Sequence, residues 1–158
     1  MMYDFNAKDV FEMALQLERN GAAFYKNAAK KTHDAEAKEL LTQLSAMEEG
    51  HEKTFSKMMA DLTEKEQIST IFDPNGEAAA YLRALADTRV FFEKKMDPSS
   101  LKDIFMAAIG AEKDSIVFYL GIRDLVPEKF GKSRIDAIIK EEMGHLEALS
   151  RQLLRTQR

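Results

Sequence analysis

Two segments of the chain, Glu48-Glu49-Gly50-His51 and Glu142-Met143-Gly144-His145, decide how it folds. In each segment the His follows the Glu by three residues, which on a helix places the two side chains on one face and one turn apart. Each pair can therefore bind one cation. The two segments lie 94 positions apart, and this distance is the period of a longer internal repeat.

The repeat covers both halves of the chain without a gap. Shifting the sequence by 94 positions superposes residues 8–51 on residues 102–145, with 11 identities in 44 positions. Unrelated sequence would give roughly 3, so the repeat is real. Besides the two Glu-x-Gly-His segments, the repeat pairs Glu18 with Glu112 and Tyr25 with Tyr119. It predicts two similar units related by an approximate two-fold axis.

Apolar residues recur at helical spacing in four stretches, two in each unit. Asn6, Asp34 and Ser100, the last with Asp103 three residues on, are predicted N-caps. The middle segment, Glu77 to Met96, is rich in helix formers and predicts one further helix. We expect long helices over Ala7 to Lys31, from Asp34 to about Leu62, from Ser100 to about Leu125, and along the apolar stripe Ile135 to Leu153. The predicted fold class is all-α: a four-helix bundle of two antiparallel hairpins with a long helical crossover connection.

Composition limits the classes of function. The 158 residues predict a single domain, 1–158, and 45% apolar with 32% charged residues is typical of a soluble protein. A net charge of −4 argues against the basic surface that nucleic-acid binding requires. No apolar run approaches the length that spans a membrane. The absence of Cys excludes disulfides and thiolate metal sites. A cytoplasmic protein is the default expectation.

The repeated polar residues are predicted to meet at one height of the bundle. Glu18 and Glu48 are equidistant from the first connection, and Glu112 and Glu142 from the second, each about 22 Å of helix from its turn. Four close, buried carboxylates repel one another unless cations neutralise them. Carboxylate with imidazole suits iron or manganese, and zinc is compatible with the same ligands. The predicted metal ligands are Glu18, Glu48, His51, Glu112, Glu142 and His145.

Other polar residues receive other interpretations. His33 lies in a predicted connection and has no repeated partner, so it is interpreted as a solvated turn residue. Glu49 and Glu141 are one residue from proposed ligands, about 100° around the helix, where a solvent-facing or ion-paired role is expected. Tyr25 and Tyr119 lie on the ligand face two turns from Glu18 and Glu112, where each either hydrogen-bonds a carboxylate of another helix or fills the core.

At these residues the sequence resembles the ferritin-like di-iron-carboxylate superfamily, in its rubrerythrin-like and bacterioferritin-like branches. The resemblance implies a ferritin-like fold, with the segment from Glu77 to Met96 as the crossover connection. It also implies two iron ions, with Mn or Zn as alternatives. The implied roles are terminal ligands for Glu18 and Glu112, bridging ligands for Glu48 and Glu142, one imidazole per metal from His51 and His145, and a place beside the site for Tyr25 and Tyr119.

Two departures from rubrerythrins bear on function. Ser115 stands where they carry a further carboxylate, and without Cys this chain lacks their electron-delivering iron domain. The resemblance implies an oxidoreductase that reacts ferrous iron with dioxygen or hydrogen peroxide, either as a ferroxidase or in a peroxidase-like reaction. Its electrons come from an external donor protein or from incoming ferrous iron. Oxidation of an organic substrate, iron storage and a helical interaction bundle are the alternatives, and Phe91 and Phe92 are candidate residues for a homodimer surface.

Overall fold

The computed structural model describes residues 6–64, 75–77, 80–82, 84 and 100–158. Four long helices make up most of this part of the chain. The first three helices begin and end within two residues of their predicted bounds, and the fourth extends three residues beyond each end of its predicted stripe. No strand occurs among the described residues. The all-α fold class is therefore confirmed. The helices are α1 (Ala7–Lys31), α2 (Ala35–Ala60), α3 (Leu101–Arg123) and α4 (Lys132–Thr156), with a short 3₁₀ helix at Glu128–Phe130 before α4.

The predicted caps begin the first three helices. Asn6 accepts a hydrogen bond from the backbone N–H of Asp9 at 2.9 Å, and the Asp9 side chain accepts one from the Asn6 N–H at 3.1 Å. The side chains of Asp34 and Ser100 each accept a bond from the backbone N–H three residues on. These bonds satisfy N–H groups that have no partner inside the helix, which fixes where each helix begins.

A glycine turn begins the fourth helix. Pro127 precedes the short 3₁₀ helix, and Gly131, which follows that helix, adopts φ +106°, a left-handed conformation that disfavours residues with a Cβ. A Cβ at Gly131 would also lie 2.7 Å from Cε of Met58. Glycine at this position therefore lets the chain reverse tightly against α2.

The bundle core consists of two apolar clusters separated by a polar layer. The connection between α1 and α2 and that between α3 and α4 are short, so each pair packs as an antiparallel hairpin, and α1 also contacts α3 while α2 contacts α4. One cluster includes Phe11, Phe55, Phe118 and Ile135, and the other includes Leu41, Leu44, Phe105 and Leu149. On every helix the polar residues of the predicted site lie between the two clusters. This arrangement places the site at the centre of the bundle.

Most of the predicted crossover helix from Glu77 to Met96 lies outside the described residues. Residues 77, 80–82 and 84 are helical, and the Tyr81 hydroxyl donates to the backbone carbonyl of Val117 at 2.8 Å. This part of the connection therefore packs on α3. Phe91 and Phe92, the candidates for a homodimer surface, also lie outside the described residues. Within the described ranges, none of the helices has the length and apolar character needed to cross a membrane.

Phe55 is expected to be a major contributor to stability. It is fully buried, and its ring centroid lies 5.4 Å from that of Tyr119 and 6.5 Å from that of Phe11. Phe55→Ala should lower the free energy of unfolding by about 3–5 kcal/mol, because it leaves a cavity between helices. Met106→Ala is the control, since Met106 is 52% exposed and its loss should change stability by less than about 0.5 kcal/mol. Equal denaturation midpoints for the two variants would contradict this packing.

Candidate metal centre

Six buried polar side chains occupy the middle of the four helices. Each lies between the apolar clusters of its helix, so the periodicity that forms the core also turns these side chains inward. None is more than 4% exposed. They are Glu18 on α1, Glu48 and His51 on α2, Glu112 on α3, and Glu142 and His145 on α4, the six residues predicted from the repeat.

These side chains form two overlapping groups of four, and in each group one potential ligand atom per residue lies within 4.8 Å of all the others. Glu48 and Glu142 belong to both groups. One group adds Glu18 and His51, and the other adds Glu112 and His145. The arrangement follows the two-fold repeat, with one Glu and one His specific to each group and two Glu shared between them.

The His51 imidazole directs its two nitrogens to different partners. Nδ1 faces the cluster, 3.2 Å from Oε1 of Glu142 and 3.3 Å from Oε2 of Glu18. Nε2 lies 2.6 Å from Oε2 of Glu141, which is outside both groups. One nitrogen is therefore available to a metal while the other is anchored by a carboxylate.

The His145 imidazole also turns Nδ1 toward the cluster. This atom lies 2.9 Å from Oε2 of Glu142, 3.2 Å from Oε1 of Glu48 and 3.5 Å from Oε1 of Glu112. The rings of His145 and His51 are stacked, with centroids 5.7 Å apart and an interplanar angle of 18°. The two imidazoles thus approach the carboxylates from neighbouring positions on α2 and α4.

The donor atoms of the cluster fit divalent cations. Several of these atoms lie close together without hydrogen-bond geometry, and none has a hydrogen bond among the described residues: Oε2 of Glu18, Oε1 of Glu48, both oxygens of Glu142, and Nδ1 of His51 and His145. Buried polar atoms without partners are rare because they lose the free energy of hydration without compensation. A cation in each group would satisfy these atoms, and a carboxylate and imidazole donor set suits iron, manganese or zinc.

Burial and close contacts shift the pKa values of several groups in the cluster. Burial raises the pKa of Glu48 to about 9, against the opposing effect of His145. Burial also favours neutral imidazole at His51, but contacts with Glu142 and Glu18 outweigh it and raise the His51 pKa to about 11. The Glu142 pKa moves in the opposite direction from that of Glu48, because contacts with both imidazoles outweigh its burial and lower its pKa to about 2. Glu48 and His51 therefore hold protons at neutral pH, and metal binding must release them.

Two tyrosines link the hairpins through the cluster. The Tyr25 hydroxyl on α1 donates to Oε1 of Glu112 on α3, and the Tyr119 hydroxyl on α3 donates to Oε1 of Glu18 on α1. Burial, reinforced by nearby carboxylates, raises the pKa of both tyrosines well above the usual value, so both remain protonated donors. Of the two interpretations of these tyrosines, the structure shows the hydrogen bond to a carboxylate on another helix.

A family model matches almost the whole of this arrangement. The Rubrerythrin model covers residues 9–153, which include nearly the full length of all four helices and all six clustered residues. The chain belongs to the rubrerythrin family. The resemblance inferred from the repeated Glu and His residues is therefore confirmed, and the chain carries a buried Glu/His cluster that could hold metal ions.

A solved structure shows the same fold as this rubrerythrin-family chain. It is that of a protein from Thermotoga maritima assigned as a ferritin-like diiron-carboxylate protein. The two chains are 23% identical, the TM-score is 0.72, and the match covers 99% of each chain. No curated protein sequence matches the chain significantly. At this level of identity the structural likeness establishes the ferritin-like fold.

Residues left out of the predicted ligand set lie at the edge of this rubrerythrin-family site or away from it. His33 and Glu49 are exposed, as expected. Ser115 donates to the Ala111 carbonyl at 3.0 Å. Glu141 is 51% exposed and ion-paired, as predicted, but the sequence interpretation did not identify its partner as His51. The antiparallel register that brings His51 to Glu142 could have indicated this contact, since Glu141 is the preceding residue.

An open groove runs along the surface between α2 and α4 beside the cluster. Its volume is about 540 Å³, and none of the four predicted carboxylate ligands lines it. Among the predicted ligands it contacts His51, whose Nε2 is held by Glu141, another lining residue. The groove therefore approaches the cluster from the outer side of one imidazole. The lining residues are Met47, Gly50, His51, Thr54, Lys57, Arg134, Ala137, Ile138 and Glu141.

Proposed function

We propose that this protein is a di-iron oxidoreductase that reacts ferrous iron with dioxygen or hydrogen peroxide. The observation that carries the proposal is the pair of overlapping groups, in which six buried side chains present converging ligand atoms within 4.8 Å in each group. Membership of the rubrerythrin family supports iron as the metal. Manganese and zinc are compatible with the same ligand types.

Each of the two ions would be held by a different pair of residues together with two shared carboxylates. Glu18 with His51, and Glu112 with His145, would each hold one ion, because each pair occurs in only one group. Glu48 and Glu142 would contact both ions, since both groups contain them. When bound, two ferrous ions supply two electrons, which with two protons reduce hydrogen peroxide to two waters or dioxygen to hydrogen peroxide.

The protein around the cluster keeps the carboxylates in place and water out. Tyr25 and Tyr119 hold Glu112 and Glu18 from the opposite hairpin, so each terminal carboxylate has one oxygen fixed by a donor. The apolar clusters above and below the polar layer exclude bulk water from both sides. Such preorganisation reduces the rearrangement that metal binding requires.

The source of electrons lies outside this chain. Because the sequence contains no Cys, a thiolate-ligated iron centre is absent, and the reductant is proposed to be either a separate donor protein or further ferrous iron. Ser115, with its hydroxyl committed to a backbone carbonyl, adds no carboxylate to the cluster. The six-residue set therefore favours ferroxidase chemistry over peroxide reduction of the rubrerythrin type.

Anaerobic ferrous loading tests the proposal. Purified, metal-free protein is loaded with ferrous iron, its iron content is measured per chain, and oxygen or peroxide is then added while the near-ultraviolet spectrum is recorded. We expect two irons per chain and a new charge-transfer absorbance after oxidation. The ratio of the rates with oxygen and with peroxide separates oxidase from peroxidase function.

Two other outcomes would replace the proposal. Uptake well beyond two irons per chain would favour storage, since the bundle has one such cluster among its described residues. Folded protein without stoichiometric iron would favour a helical interaction bundle. Oxidation of an organic substrate has less support, because the groove between α2 and α4 contacts one of the six predicted ligands and no predicted carboxylate ligand.

A further inference from the structure

The two halves of the cluster differ outside their ligand atoms. On the His51 side, Nε2 pairs with Oε2 of Glu141 at 2.6 Å, while Nδ1 faces Glu18 and Glu142. A carboxylate at this distance accepts a hydrogen bond from Nε2–H, so that when a metal displaces the Nδ1 proton the Nδ1 lone pair is directed at the cluster. Glu141 therefore fixes both the tautomer and the orientation of this imidazole.

The internal repeat does not reproduce this contact on the other side. The residue 94 positions before Glu141 is Met47, so the position that supplies a carboxylate to His51 supplies a thioether in the other unit. Nε2 of His145 is buried and lacks a hydrogen-bond partner among the residues that the structure describes. The two imidazoles thus have similar Nδ1 environments and different Nε2 environments.

Because of this difference, the two metal sites should bind metal with different affinities. A carboxylate on the outer nitrogen increases the basicity of a metal-binding imidazole, and loss of such a partner commonly weakens metal affinity by about 10- to 100-fold. The buried Nε2 of His145 receives no such support. We infer that Glu141 is a positioning residue that makes the metal sites inequivalent, so that the group containing His51 fills before the group containing His145. This inference rests on the metal centre of the proposed function.

Stepwise binding of Co²⁺ tests the inference without using activity. Titration of the metal-free protein, followed by calorimetry and by the visible spectrum of Co²⁺, should give two steps whose affinities differ by about 10- to 100-fold. His51→Ala should remove the tighter step, and His145→Ala the weaker one. Two ions bound with equal affinity would overturn the inequivalence while leaving the metal centre intact. Folded protein that binds no Co²⁺ would overturn the metal centre itself.

Substitutions of Glu141 test its positioning role. Glu141→Ala should weaken the tighter step by about 10- to 100-fold, and Glu141→Gln by less, because the amide oxygen still accepts a hydrogen bond but lacks the charge. The weaker step should be unchanged in both variants. Glu49→Ala is the matched control, since Glu49 is also exposed and next to a predicted ligand. An unchanged first step in Glu141→Ala would overturn the role of Glu141.

Met47→Glu tests the inference in the opposite direction. It places a carboxylate at the repeat equivalent of Glu141, and Met47 is 40% exposed, so a charged side chain there retains access to water. We expect the second step to tighten toward the first and the second Co²⁺ spectrum to change. A second step that is unchanged in Met47→Glu, with both ions still bound, would contradict the explanation of the asymmetry by this position.

Discussion

Replacing both Glu48 and Glu142 with Ala is expected to abolish binding of two metal ions. These two residues are the members common to both groups of ligand atoms, so the double substitution removes two of the four potential ligands of each group. The remaining pairs, Glu18 with His51 and Glu112 with His145, can hold an ion only weakly. We expect the iron content after ferrous loading and desalting to fall from two per chain to nearly none.

A matched double variant separates this effect from general damage. Glu49→Ala with Glu147→Ala removes two glutamates from the same helices, α2 and α4, at positions outside the cluster. Glu147 pairs with Arg151 at the surface, and such pairs contribute little to stability. The control should retain two irons and a normal helical circular dichroism spectrum. Retention of two tightly bound irons by the Glu48 and Glu142 double variant would argue strongly against the proposed centre.

The sequence predicted the fold closely because its signals are local and repeated. Asn6, Asp34 and Ser100 mark helix starts by a mechanism that operates within three residues, and all three caps are present. The repeat then fixes how the hairpins relate, since matching polar residues at one height can be buried only by meeting one another. For this reason the repeat pattern alone is enough to place Glu18 and Glu112 in one cluster, although they are far apart in the chain.

Contacts that depend on the rotation of one helix against another are harder to predict from the sequence. Both tyrosines face the ligand side of their own helices, but periodicity alone does not show which carboxylate each one reaches. The structure shows that Tyr25 bonds to Glu112 and Tyr119 to Glu18, across the two hairpins. Glu141 illustrates the same limit, because its spacing predicted a solvent-facing or ion-paired role, while the choice of His51 as its partner depends on how α2 and α4 pack together.

Removal of the metal ions is expected to lower the melting temperature substantially. The cluster brings four carboxyl groups into a buried layer, and much of their repulsion must be offset by protons or cations. A ligand that binds only the folded state at 1,000 times its dissociation constant stabilises it by about 4 kcal/mol per site, or about 8 kcal/mol for two independent sites. Because about 1 kcal/mol shifts the melting temperature of a chain this long by 2–4 °C, we expect a loss of at least about 15 °C on chelation.

Differential scanning calorimetry of the metal-free and reloaded protein measures this loss, and reloading distinguishes metal from irreversible damage by the chelator. The double variant of Glu48 and Glu142 provides the decisive control. It has lost the carboxylates shared by both groups, so its melting temperature should not respond to metal. In the parent protein the shift should grow with the logarithm of free metal concentration, as linkage requires. A parent melting temperature independent of metal would mean that the buried carboxylates are neutralised by protons alone, and that the six converging side chains are not a metal site.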